Sequence, residues 1–236
     1  MDALALLRNA VTLHRQGRLQ AACDLYGRVL ALRPDLAEAA LLLGLAGLEL
    51  EDFDAAEAAF ARAVALAPQD AEAHHGLGAA RLALGRPAEA EADQRRAVAL
   101  APGCAPAWDG LGGALLAQDR PEEAMAAYAQ ALALIPDHDP EQIGTLNNLG
   151  AACKAAGRPA EALAHYDRVL ALRPDDPDIR CNRANAALDL GDAEAALADF
   201  QAACAADPEH AAARWGACFA RLPVGFEAEA DIAPAR

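Results

Sequence analysis

Prolines stand at Pro34, Pro68, Pro102, Pro136, Pro174 and Pro208, so a 34-residue interval recurs and is broken once, by an interval of 38. A fixed period of this length signals stacked supersecondary units, each too small to bury its own apolar surface without its neighbours. When each unit is numbered so that its proline is position 32, position 20 is always alanine: Ala22, Ala56, Ala90, Ala124, Ala162 and Ala196. Position 8 is small throughout (Ala10, Gly44, Gly78, Gly112, Gly150, Ala184), and position 24 is large (Tyr26, Phe60, Gln94, Tyr128, Tyr166, Phe200). Hydrophobic residues make up 55% of the chain but aromatics only 4%, so the core must come from closely approaching elements with small side chains. Helix on helix satisfies that requirement.

Within each unit the apolar period is helical. Positions 4, 7, 8 and 11 share one face of a first helix, and small residues at 8 and 20 admit a second helix until residue 24 fills the gap. Gly17-Arg18, Gly85-Arg86-Pro87 and Gly157-Arg158-Pro159 separate the two helices, glycine closing one in the left-handed region and proline opening the next. The prolines at position 32 stop the second helix. Trp108-Asp109-Gly110-Leu111-Gly112 and, less completely, Leu146-Asn147-Asn148-Leu149-Gly150 resemble the W-x-x-L-G pattern of the tetratricopeptide-repeat (TPR) family, and the resemblance covers residues 3 to 208.

The resemblance implies an all-α fold, a right-handed α-solenoid of six TPR helix pairs plus a C-terminal capping helix. Its repeats would span 3–36, 37–70, 71–104, 105–142, 143–176 and 177–208, with a cap at 209–222 and a tail or linker at 223–236. Gln94 in place of an aromatic, Asn9 in place of leucine and the small Gly47 mark repeats expected to be softer. The 38-residue interval places four extra residues near 137–142. Asp139 as N-cap, Pro140 at the first helical position and Glu141 at the positive helix end predict an additional turn at the front of the next helix; a longer surface loop is the alternative.

Acidic residues outnumber Lys plus Arg 35 to 20, for a net charge of −15, which disfavours nucleic acid and membrane surfaces as partners. No window approaches the roughly 18 apolar residues of a membrane span. Met1-Asp2-Ala3-Leu4 runs into an amphipathic helix interrupted by Arg8, unlike a signal peptide, so a cytoplasmic location is expected. Cys23, Cys104, Cys153, Cys181, Cys204 and Cys218 form no C-x-x-C pair and read as reduced, mostly buried small hydrophobes. His74 and His75 are adjacent, diverge around a helix and cannot share one metal. Acid pairs such as Glu122-Glu123 stand where helices begin. No catalytic residue, metal or cofactor is expected.

What remains is the face carrying positions 2, 5, 6, 9, 12 and 13 of each first helix, which in the family lines the concave groove. Leu41, Leu45 and Leu48 form an apolar stripe there, fit for a ligand or for self-association. His75 and Asp109 lie among small residues, including Gly76 and Gly110, that leave room for another backbone or merely relieve crowding. Asn147, Asn148 and Lys154, then Asn182, Asn185 and Asp189, change its character. Asparagine is a middling helix former, whereas its amide donates and accepts and so suits the main chain of an extended peptide. Asn148 and Asn182, both at position 6, resemble the asparagine ladder of O-GlcNAc transferase arrays, while the cations of the carboxylate clamp of chaperone-binding TPRs are missing. The expectation is that Asn148, Asn182 and Asn185 hold a peptide main chain, with Lys154 steering an acidic ligand.

Residues from Leu222-Pro223-Val224-Gly225-Phe226 to Ile232 resemble the link that precedes the catalytic domain in bacterial SPINDLY-type (O-GlcNAc transferase-like) proteins. Three functions follow: a scaffold binding a protein or peptide, the acceptor-recruiting part of a bacterial protein glycosyltransferase, or a self-assembling scaffold.

Overall fold

The computed structural model describes residues 2–137 and 139–220, and among these it contains thirteen α-helices and no strand. In chain order they are α1 (Ala3–Arg15), α2 (Leu19–Leu32), α3 (Ala37–Glu49), α4 (Phe53–Leu66), α5 (Ala71–Ala83), α6 (Pro87–Leu100) and α7 (Ala105–Leu116). Then follow α8 (Pro121–Leu134), α9 (Gln142–Ala155), α10 (Pro159–Leu172), α11 (Pro177–Asp189), α12 (Ala193–Ala206) and α13 (Ala211–Phe219). The chain divides into two compact units, Met1–Asn148 and Leu149–Arg236.

In the first unit each helix packs on the next, and the odd-numbered helices also touch: α1 meets α3, α3 meets α5 and α5 meets α7. Among the described residues the even-numbered helices of this unit meet only through side chains, as where Arg62 of α4 donates to Leu30 O of α2 at 3.5 Å, so the first helices crowd together on one side. In the second unit α10 packs on α11, α11 on α12 and α12 on α13, and α11 also reaches α13.

One local device turns the chain between the helices of a pair. After α1, the Gly17 N–H donates to His14 O and the Arg18 N–H to Leu13 O, both at 2.9 Å, with Gly17 at φ +72°, which is a Schellman closure. Gly85, Gly157 and Gly191 repeat it, and Glu51 and Asp119 adopt it at φ +58° although they are not glycine. The following residue begins the next helix: Asp52 and Asp192 accept from Ala55 N and Ala195 N, while Arg86, Arg120 and Arg158 precede a proline at the first turn and pair with the Glu three residues on.

The periodic positions build the core. All six position-20 alanines are wholly buried, and Tyr26, Phe60, Tyr128, Tyr166 and Phe200 are among the largest buried side chains. A Cβ added to Gly44 would lie 2.8 Å from Phe60, on Gly112 2.6 Å from Tyr128, and on Gly150 2.6 Å from Tyr166. In these three pairs the missing side chain at position 8 lets the aromatic slide between its two helices, whereas Tyr26 and Phe200 are buried beside the alanines Ala10 and Ala184; burying one aromatic contributes about 2–3 kcal/mol.

The insertion departs from expectation. α9 begins at Gln142, and residues 139–141 form a turn in which Asp139 Oδ1 accepts from Glu141 N and Asp139 O accepts from Gln142 N, both at 2.9 Å. Asp139 closes this turn instead of capping the helix as expected, and the extra α-helical turn does not form. The buried Gln142 side chain instead donates to Ile135 O and Pro136 O, satisfying the end of α8. All six cysteines are free thiols; Cys153 and Cys181 are buried, Cys23, Cys104 and Cys204 partly so, and Cys218 is exposed, so their burial is less complete than expected. α13 begins the expected cap, whereas Leu222 and the tail 223–236 lie outside the described residues.

Candidate functional site

On the crowded side of the first unit, residues of α5, α7 and the start of α9 line an open hollow of about 790 Å³. Its polar lining includes His75, Gln94, Asp109 and Glu141, and Ala79 and Leu82 are part of its apolar wall. Gln94 sits wholly buried at position 24 of its repeat. Its Oε1 lies 3.0 Å from His75 Nδ1, and its Nε2 donates to His75 O at 3.2 Å, so the amide is satisfied on both ends by one residue. Cβ atoms added to Gly78 and Gly110 would lie 2.8 and 2.6 Å from that amide. Gln94 thus occupies the slot that Phe60 and Tyr128 occupy in the pairs on either side.

Asp109, on α7, is the charged group at the centre of the site. Its Oδ2 accepts from Asn148 Nδ2 at 3.3 Å, and its Oδ1 is buried with no hydrogen-bond partner. Glu57, Glu91 and Asp93 of this unit are matched by guanidinium, Glu57 with Arg81 and Arg86, Glu91 with Arg95 and Arg120, and Asp93 with Arg81 at 2.6 Å, while the half-buried Asp70 and Asp139 accept backbone N–H groups. No Lys or Arg lines the hollow. Burial pushes the Tyr128 phenol above its ordinary range, and the Asp109 charge pushes it further.

Several expectations for this face need correction. Leu41, Leu45 and Leu48 are half-buried and pack against Phe60, Leu77 and the alanines beside them, so only part of the expected stripe is open. Gly76 and Gly110 do not leave space for a foreign backbone, because Phe60 and Gln94 of the preceding pair already press on them. Asn148 spends a donor on Asp109, and Asn147 is half-buried and engaged within the fold. Sequence alone pointed to His75 and Asp109 singly; the buried Gln94 between them carried no signal beyond breaking the aromatic pattern.

In the second unit Lys154 Nζ stands 3.4 Å from Asp189 Oδ2, so the cation expected to steer an acidic ligand is matched within the chain. Asn182 is half-buried and engaged, whereas Asn185 is exposed beside a smaller hollow of about 350 Å³ that Phe200, Trp215 and Phe219 also line. Trp215 is 76% exposed, an aromatic surface that its i, i+4 spacing from Phe219 could have flagged. Cys181, His210 and Asp178 form a row, with Sγ 3.8 Å from Nδ1 and Nε2 2.9 Å from Oδ1. This is no activated nucleophile. His210 Nδ1 accepts from Ala213 N as the cap of α13, and burial, with Asp178 adding to it, pushes the Cys181 thiol up to about 11.

Family models described as tetratricopeptide repeat match residues 103–175 and, separately, 7–71, 41–105 and 147–211. The chain belongs to the tetratricopeptide-repeat family. Among solved structures, this TPR chain is similar to PilW, a widely conserved type IV pilus biogenesis factor, with TM-score 0.80 and 21% identity over 90% of this chain and 97% of that one. YrrB, a TPR protein with an unusual peptide-binding site, aligns with TM-score 0.64 and 19% identity over 80% and 96% of the two chains. A chain of the APC/C hetero-tetramer Cut9–Hcn1 aligns with TM-score 0.79 and 17% identity over 93% of this chain but only 43% of its own length. At these identities the likeness is one of fold. No curated protein matches the sequence. The expected link to SPINDLY-type glycosyltransferases gains no support, since the matching models are TPR models and residues 222–232 lie outside the described residues. Among the described residues no helix is long and apolar enough to cross a membrane, and no group of three His, Cys, Asp or Glu could hold a metal ion.

Proposed function

We propose that this TPR chain is a protein-binding scaffold that takes an extended polypeptide segment along the face of its first helices. The observation that carries this reading is the 790 Å³ hollow on that face of the first unit, bounded by three successive first helices and furnished with a few polar groups on an apolar wall. Such a surface, open along its length and formed by repeated elements, suits an extended chain better than a compact small molecule. YrrB, a TPR protein of similar fold with an unusual peptide-binding site, supports the same use. In the first unit Asn148, with acceptor capacity left beside Asp109, and in the second unit Asn185, exposed on α11, are each an amide that would meet a peptide main chain.

The test is to pan a random dodecapeptide library against the immobilised chain and to titrate recovered peptides by calorimetry. Recovered peptides should bind the wild type and compete with one another. Failure of every recovered peptide to bind in solution would remove the reading.

A further inference from the structure

The Asp109 carboxylate is the one feature of the hollow that the fold itself does not explain. A buried carboxylate oxygen normally gathers donors, because desolvating it without them costs several times what a neutral group costs. This chain follows that rule elsewhere. In the second unit the buried Asp199 holds Arg183 through both oxygens, at 2.6 and 2.8 Å, with Arg180 3.6 Å away. Asp109 Oδ1 has none, and its sister oxygen has a single amide donor at 3.3 Å.

The neighbours point the same way. Glu141 adds a second carboxylate to the lining, and neither Lys nor Arg answers it. His75 lines the hollow beside them, its Nδ1 turned to Gln94 Oε1 at 3.0 Å. Ala79, Leu82 and Pro106 provide an apolar wall for an aliphatic stem. Acceptors at the base, an apolar wall and an overall charge of −15 match a long cationic side chain.

We propose that this hollow seats an arginine or lysine side chain of the bound peptide, its cation paired with the Asp109 carboxylate. The inference rests on the peptide-binding reading and names the chemistry of the ligand at one place. It also replaces the acidic ligand expected from Lys154, whose charge is already matched by Asp189.

Two variants isolate the site. Asp109→Asn keeps the shape and removes the charge. Gly144→Leu fills the hollow from α9, where an added Cβ meets nothing within 4 Å, so it blocks entry without disturbing the packing. Nitrogen-15 amide shifts of the full chain are followed while N-acetyl-arginine methylamide is added, with N-acetyl-citrulline methylamide as the uncharged twin. The arginine probe should shift Gly110 and Gly144 saturably, the citrulline probe should bind at least about tenfold more weakly, and both variants should lose the response by a similar factor while keeping wild-type helicity. Equal binding of the two probes, an absent response to arginine, or an unchanged response in Asp109→Asn would overturn the proposal. If Asp109→Asn loses helicity, the Gly144→Leu result decides. Library peptides that bind without enrichment in Arg or Lys sink this inference and leave the scaffold reading standing, whereas a library yielding no binder sinks both.

Discussion

The third and fourth helix pairs, α5–α6 and α7–α8, share one backbone plan and fill it differently. In the fourth, Tyr128 slides against Gly112 and completes an apolar core; in the third, Gln94 enters the same slot between Gly78 and Gly110 and bonds to His75. The glycines are retained in both, so the approach of the helices is set by what is missing from position 8, not by what stands at position 24. The filler decides the chemistry of the adjoining face. A slim amide presents a hydrogen-bonding wall beside Asp109, whereas the aromatic in the next pair fills its slot with a ring.

The largest expected difference between the pairs is in stability. Tyr128→Ala should cost about 3–5 kcal/mol by opening a cavity in a dry core, and Gln94→Ala about 1–2 kcal/mol, because it removes less apolar volume and the freed His75 can turn to water. Urea unfolding of both variants checks this, and equal losses would mean the slot is indifferent to its filler.

An aromatic slot also carries a titration that an amide slot lacks. Burial is the main cause raising Tyr26 and Tyr166 from 10.0 to about 12. A raised phenol stabilises the fold fully below its unfolded value and loses that contribution as pH climbs through the folded one. Stability should therefore fall between pH 10 and 12 by about 2–3 kcal/mol for each such tyrosine, with tyrosinate absorbance rising as helicity is lost. Tyrosinate appearing near pH 10 with the helices intact would contradict this burial.

Gln94→Phe should convert the third pair into a copy of the second, where Phe60 lies between Gly44 and Gly76. A gain of about 1 kcal/mol is expected, as aromatic burial outweighs the hydrogen bonds to a half-exposed His75. A destabilised variant would show that the amide is needed where it stands.

The smallest effect concerns the turns of the same two pairs. Asp119 closes the fourth pair at φ +58° where Gly85 closes the third at φ +72°. Asp119→Gly should stabilise by about 0.5–1 kcal/mol and Gly85→Ala should cost about as much, both measurable by thermal melting.

Much of this was legible in the sequence because it repeats. The small residues at positions 8 and 20, the aromatic at 24 and the closing glycines act inside one helix pair, so the same steric demand recurs at every period and stands out against the rest. The first helices' outer positions were harder. Position 6 was assigned to an open groove, yet Gly76 and Gly110 are covered by side chains of the preceding pair.

The chain's own order of residues therefore determined the all-α repeat, the helix pairing within each period and where the turns fall, since those depend on local sterics and on spacings of a few residues. Only the tertiary structure decided that Asp109 lacks a cation while Lys154 has found Asp189, that Gln94 binds His75 and that the insertion turns instead of extending α9. Most of these outcomes join side chains from different helices, 19 to 39 residues apart along the chain. Such partnerships follow no period, so only the packed helices reveal which charge is answered and which is not.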